Sequence, residues 1–121
     1  MENVSNEVQM ESIKSFQSTI SKCENALAQM TQKGANTTLI TRRLQALYIG
    51  LALLEYVWNQ KPHHYTQEDI AEARHVLTSL FPSIENSYAK SKAGSPQKTL
   101  LERRMKSLEL AVQAIDDLSD E

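Results

Sequence analysis

The sequence predicts an all-α protein, an up-down-up-down antiparallel four-helix bundle built from two repeated helical hairpins. Three observations lead there. Residues 38–57 (TLITRRLQALYIGLALLEYV) are echoed without a gap by residues 99–118 (TLLERRMKSLELAVQAIDDL). Carried across the chain, that offset aligns Glu7, Glu11, Ser18, Glu24-Asn25, Ala28, Thr38-Leu39, Arg42-Arg43 and Leu47 with identical residues, about eleven identities in roughly 56 pairs. Only three glycines and three prolines interrupt a chain rich in Leu, Ala, Glu, Lys, Gln and Arg, the residues that cost least in a helix. Finally, apolar residues recur at helical spacing in four stretches separated by short polar links.

Each element has its own signals. The first helix is expected from about Ser5 to Lys33, with Ile13, Phe16, Ile20, Cys23, Leu27 and Met30 on one face and Gly34 ending it in a left-handed turn. The second runs from Thr37 or Thr38 to Gln60 over Ile40, Leu44, Leu47, Leu51, Leu54 and Trp58, and Pro62 stops it. Thr66, followed by Glu68 and Asp69, opens the third; a threonine oxygen accepts an orphan N–H there, and the acids favour the positive helix start. Its face is Ile70, Ala73, Leu77, Leu80 or Phe81, Ile84 and Tyr88, with a break expected near Leu80 to Ser83 at Pro82. Gly94 closes it. Ser95 caps the fourth helix with Pro96 at its first position, and Leu101, Met105, Leu108, Val112, Ile115 and Leu118 form its seam.

The chain reads as a single domain over residues 1–121, with repeat units at about 5–60 and 66–121. A hairpin exchanged between two chains would satisfy the same repeat. The lone Cys23 excludes an internal disulfide, and no basic-then-apolar leader opens the sequence, so a cytoplasmic location is expected. The longest apolar stretch, Leu44 to Trp58, is shorter than the ~20 residues of a membrane span. The net charge of −2 gives no overall attraction to nucleic acid or anionic lipid.

In the up-down-up-down arrangement both hairpin loops share one end, which gathers Lys22, Lys33, Arg42, Arg43, Lys90, Lys92, Lys98, Arg103, Arg104 and Lys106. The other end collects Glu2, Glu7, Glu11, Glu55, Glu68, Asp69, Glu72, Asp116, Asp117, Asp120 and Glu121. Repetition of both partners favours structural clamps, Arg43 with Glu24 and Arg104 with Glu85. The alternative use of Arg42, Arg43, Arg103 and Arg104 is an anion site for phosphate, nucleic acid or an acidic partner, because arginine forks match such groups. No aromatic side chain is interleaved with them, which argues against a single-strand stacking platform.

The two copies differ where function is expected. At about 100° per residue, Ile49, Leu53 and Tyr56 lie opposite the seam of the second helix, and their counterparts are the more polar set Leu110, Ala114 and Asp117. The second helix is therefore expected to be covered on both sides. A protein partner or a second copy is the leading reading of that stripe, and coverage by the chain's own segments the other. His63 and His64 are the nearest approach to a metal site. Glu72 and His75 have the spacing of di-iron bundles, but Glu11 and Lys14 replace them in the other copy and both point off the seam. Cys23 reads as a small buried apolar group. No cofactor motif and no catalytic constellation emerges, so the expected function is a non-enzymatic protein-interaction module, an adaptor, regulator or chaperone-like protein, with an anion or nucleic-acid binder as the alternative.

Overall fold

Capping residues set most of the helix boundaries in the structure, a computed structural model that describes residues 3–119. Five helices follow in order: α1 Asn6–Gln32, α2 Thr38–Asn59, α3 Gln67–Ser79, α4 Phe81–Lys90 and α5 Pro96–Ser119. Among the described residues there is no strand, and no helix is long and apolar enough to cross a membrane. The Ser5 side chain accepts from the Val8 N–H at 3.2 Å, and Ser95 accepts from Lys98 N–H at 3.1 Å. Thr66 and Asp69 form a reciprocal capping box at 3.1 and 3.2 Å. Gly34 (φ 70°) and Gly94 (φ 76°) take the left-handed turns expected of them. Pro82, which has no N–H to give, falls in the first turn of α4 and marks the break between α3 and α4.

Which helices touch, and at which residues, fixes their relative directions. Tyr48 donates to Glu24 across α1 and α2, and a Cβ placed on Gly50 would lie against Phe16, so moving forward on α2 moves backward on α1. Arg74 with Asp116 and Tyr88 with Glu102 give the same antiparallel relation between α3–α4 and α5. The contacts between hairpins behave differently. Arg103 pairs with Glu11, and Ser107 meets Ser15; both pairs are 92 residues apart, so α5 runs parallel to α1. Arg42 pairs with Glu72, and Gly50 faces Leu77 further along both helices, so α3 runs in the same sense as α2.

The expected up-down-up-down course therefore does not hold; the second hairpin enters inverted. The physical reason lies in the link. From Gln60 to Thr66 the backbone has no turn or bend. Gln60 adopts a left-handed φ of 55° that reverses the chain at the end of α2. The His63 ring then packs edge-on against Tyr56 at 5.0 Å and lies 6.2 Å from Tyr65, so the link runs back along α2. The Gly50–Leu77 register implies an axial climb of roughly 28 Å from Asn59 to Gln67. Extended chain over those eight steps reaches about 26–29 Å, so the link has little slack. A short connection need not join antiparallel neighbours when it is drawn out straight.

Inversion also removes the predicted sorting of charge. The Gly34 and Gly94 loops lie at opposite ends, and each arginine-bearing helix start is set against the acidic start of the other hairpin. Glu2, Asp120 and Glu121 lie outside the described residues.

The core is centred on α2 and α5. Each packs closely on α1 and α3 as well as on the other, whereas the α1 backbone approaches neither α3 nor α4 closely. A helix with three neighbours buries more than one seam. Accordingly Leu47, Ile49, Leu53 and Leu54 of α2 are all buried, as are Leu108, Leu110, Ala111, Ala114 and Ile115 of α5. Positions 61 apart match in this burial: Ala46 with Ser107, Leu47 with Leu108, Ile49 with Leu110, Gly50 with Ala111, Leu53 with Ala114 and Leu54 with Ile115. Gly50 sits at the tightest point, where Phe16 of α1 and Leu77 of α3 close over its bare Cα.

Candidate functional site

The stripe expected to receive a partner is largely interior. Ile49 is 1 % and Leu53 0 % exposed, and only Tyr56, at 38 %, reaches solvent. The chain covers its own second helix, with α3 lying over Ile49 along the groove that also contains Ala46, Ala73 and Val76. Ile49 and Leu53 are core residues. Tyr56 holds the link through the His63 ring.

The arginines divide into two kinds. Arg42 and Arg103 form the repeated clamps, but between hairpins: Arg42 with Glu72, and Arg103 with Glu11 at 2.7 Å. These pairs are half exposed, which limits each to about 1 kcal/mol. The clamps expected within each hairpin do not form. Glu24 instead accepts a 2.6 Å hydrogen bond from Tyr48. Arg74 is likewise matched by Asp116 at 2.6 Å, and its guanidinium holds the Asp116 carboxyl below the ordinary aspartate value.

Arg43 and Arg104 are left over. Neither forms an ion pair among the described residues, and both line one cleft of about 200 Å³. The cleft occupies the space where α1 fails to meet the α3–α4 break. Phe16, Leu47, Leu80, Ile84 and Leu108 supply its apolar wall; Thr19, Cys23, Ser79, Ser83 and Ser107 interrupt it. The cleft opens at the Pro82 break, where Ser79, Leu80, Ser83 and Ile84 line it.

Most of the hydroxyls here are already committed. Thr19 donates to Ser15 O at 2.8 Å, Ser79 to Val76 O at 2.6 Å and Ser107 to Arg104 O at 2.8 Å. The free donors are the two guanidiniums and the Ser83 hydroxyl. Arg104 Nε is buried and has no hydrogen-bond partner among the described residues, a loss of about 1–3 kcal/mol or more for a charged group. Arg104 also borders the neighbouring groove lined by Glu7, Glu11 and Lys14. The Cys23 thiol is pushed up by burial, while Arg43 and Arg104 both pull it down. Its sulfur therefore lies within the field of both cations. Two unneutralised guanidiniums above an apolar wall can accept a carboxylate or phosphate group.

The remaining candidates are placed as follows. His63 packs between Tyr56 and Tyr65, and its Nδ1 accepts the Tyr65 N–H at 3.3 Å. His64 is exposed. Among the described residues no group of three metal-ligating side chains converges. Glu72 is taken by Arg42, which leaves no carboxylate–histidine pair at that position. Sequence reasoning missed the cleft, although a signal was present. Arg43 and Arg104 each stand four residues before a seam leucine, Leu47 and Leu108, so their stems lie toward the core. Comparison with protein-family models, with curated proteins and with solved structures returned no match.

Proposed function

We propose that this protein is a non-enzymatic binding module, two repeated hairpins related by approximate two-fold symmetry, which holds an anionic group of its ligand between Arg43 and Arg104. The symmetry is supported by the matched burial at positions 61 apart and by the reciprocal pairs Arg42–Glu72 and Arg103–Glu11. The observation that carries the functional reading is that Arg43 and Arg104, which form no ion pair among the described residues, line the same cleft. Two guanidiniums without an ion-pair partner can be matched by an anionic ligand, which would supply the missing counter-charge. Phosphate and small carboxylates, titrated calorimetrically at low salt, test this. Arg43→Gln and Arg104→Gln should each weaken binding at least ten-fold, whereas Arg42→Gln and Arg103→Gln, whose charges are already matched, should leave it within two-fold. Equal losses from all four arginines would reduce the effect to general surface charge and defeat the proposal.

A second reading, docking onto a protein partner, is favoured by a different observation. Leu39 and Leu100 occupy equivalent repeat positions and are 58 % and 50 % exposed. Leu39 stands in the first turn of α2 and Leu100 in the second turn of α5, both largely exposed, so charged replacements there should leave the fold intact. If Leu39→Asp with Leu100→Asp releases a co-purifying protein while the arginine variants retain it, docking is the better account.

A further inference from the structure

We infer that the ligand of the Arg43–Arg104 cleft is a small amphiphilic acid: one carboxylate or phosphate head on a compact hydrocarbon tail. This rests on the anion-binding reading above and narrows it. Size comes first. A volume of about 200 Å³ exceeds the ~150 Å³ of an apolar cavity that takes up benzene, but falls below the ~300–1,000 Å³ of ordinary cofactor and drug-sized sites. This size matches a compact ligand better than a nucleotide, and a bare inorganic anion would leave the part-exposed Leu80 and Ile84 uncovered.

Polarity comes second. Leu80 and Ile84, at the α3–α4 break, are the part-exposed members of the apolar wall, backed by the buried Phe16, Leu47 and Leu108, so a tail would replace water chiefly along that break. Around that wall, Thr19, Ser79 and Ser107 have spent their donors on backbone carbonyls. They can therefore accept hydrogen bonds from a ligand but not donate them. The charged donors stand on two helices, α2 and α5, so the head must sit between them while the tail points toward α1 and the α3–α4 break.

The other grooves do not share this combination. The α1–α5 groove already contains the Arg103–Glu11 pair and the α2–α3 groove the Arg42–Glu72 pair, and Arg74, which lines the α3–α5 groove, is matched by Asp116.

The test is a homologous series of straight-chain carboxylates from acetate to decanoate, with matched alkyl phosphates and neutral alkanols. Binding is measured by calorimetry below the micellar concentration, and slowing of Cys23 alkylation reports occupancy of this cleft. Affinity should rise about three- to four-fold per methylene through roughly six to eight carbons and then level off as the cleft fills. Alkanols should bind at least ten-fold more weakly than acids of equal length. Arg43→Gln and Arg104→Gln should remove that preference for the charged head; Arg43 is exposed, so its replacement leaves the packing undisturbed. If acetate and inorganic phosphate bind as tightly as octanoate in an arginine-dependent way, the anion site stands and the amphiphile is refuted. If no acid or phosphate binds, both fail. Tail-dependent binding that persists in both arginine variants, or leaves Cys23 alkylation unchanged, overturns the assignment to this cleft.

Discussion

Gly50→Ala tests the packing at the centre of the molecule most directly. On an open helix face this change stabilises by about 1 kcal/mol through helix propensity alone. Here the new Cβ would lie 2.9 Å from Phe16 Cε1, 3.1 Å from Phe16 Cζ and 3.2 Å from Leu77 Cδ1. Carbon atoms in contact prefer ~3.5–4.0 Å, so the Phe16 ring must retreat by roughly half an ångström or more. Phe16 is 1 % exposed and Leu77 is fully buried, which leaves little room for the retreat. Overpacking of this kind costs about 1–3 kcal/mol. The difference is a net loss of about 1 kcal/mol, or about 4 °C in Tm for a chain of this length. Urea unfolding followed by far-UV circular dichroism measures it. The decisive comparison is a cycle with Phe16→Leu, which withdraws the ring. The double variant should be less destabilised than the sum of the singles by about 1 kcal/mol. Additivity within ~0.3 kcal/mol, or a Gly50→Ala variant more stable than wild type, would refute the proposed clash.

Three further outcomes follow from the same structure. Leu53→Ala should lose about 3 kcal/mol because the side chain is fully buried, and Leu53→Asp should unfold in circular dichroism rather than yield a folded protein with altered sedimentation. Gln60→Gly should raise stability by about 0.5–1 kcal/mol in urea unfolding, since Gln60 is the one non-glycine at positive φ among the described residues. The lowered Asp116 value gives the Arg74 pair a stabilising effect that is fully present above the ordinary carboxylate range, near pH ~4. That effect fades as pH falls through the lowered folded value. Asp116→Asn should therefore flatten part of the acid limb of a Tm-versus-pH curve while lowering Tm at neutral pH.

Local signals in the sequence were sufficient for the helices themselves. Ser5, Thr66 and Ser95 start helices, Gly34 and Gly94 end them, and Pro82 breaks one, because each acts through its own backbone geometry or a bond three residues away. The direction of the second hairpin was not legible in the same way. Both courses bury the same seams, so periodicity cannot distinguish them, and link length alone favoured the wrong one. The distinguishing clue was the repetition of Glu11 as Glu72 alongside Arg42 as Arg103. Those four residues pair only if the hairpins exchange partners. Ile49 and Leu53 lie opposite the seam of α2, and a single apolar seam per helix would leave them outside the core. A helix at the centre of the molecule has no outer side. The candidate cleft depends on the gap between α1 and α4, which is a property of the assembled fold and has no counterpart in local spacing.

The drawn-out link from Gln60 to Thr66 makes the chain's tolerance of length changes asymmetric. Adding residues there costs little, because loop-closure entropy grows only logarithmically with length. Removing one or two would shorten the reach by about 3–7 Å and pull α3 out of register with α2. Natural variants of this fold should therefore accumulate insertions, but not deletions, between the histidines and Thr66. The same stretch would set a minimum tether for any rearranged gene that fused the two hairpins anew.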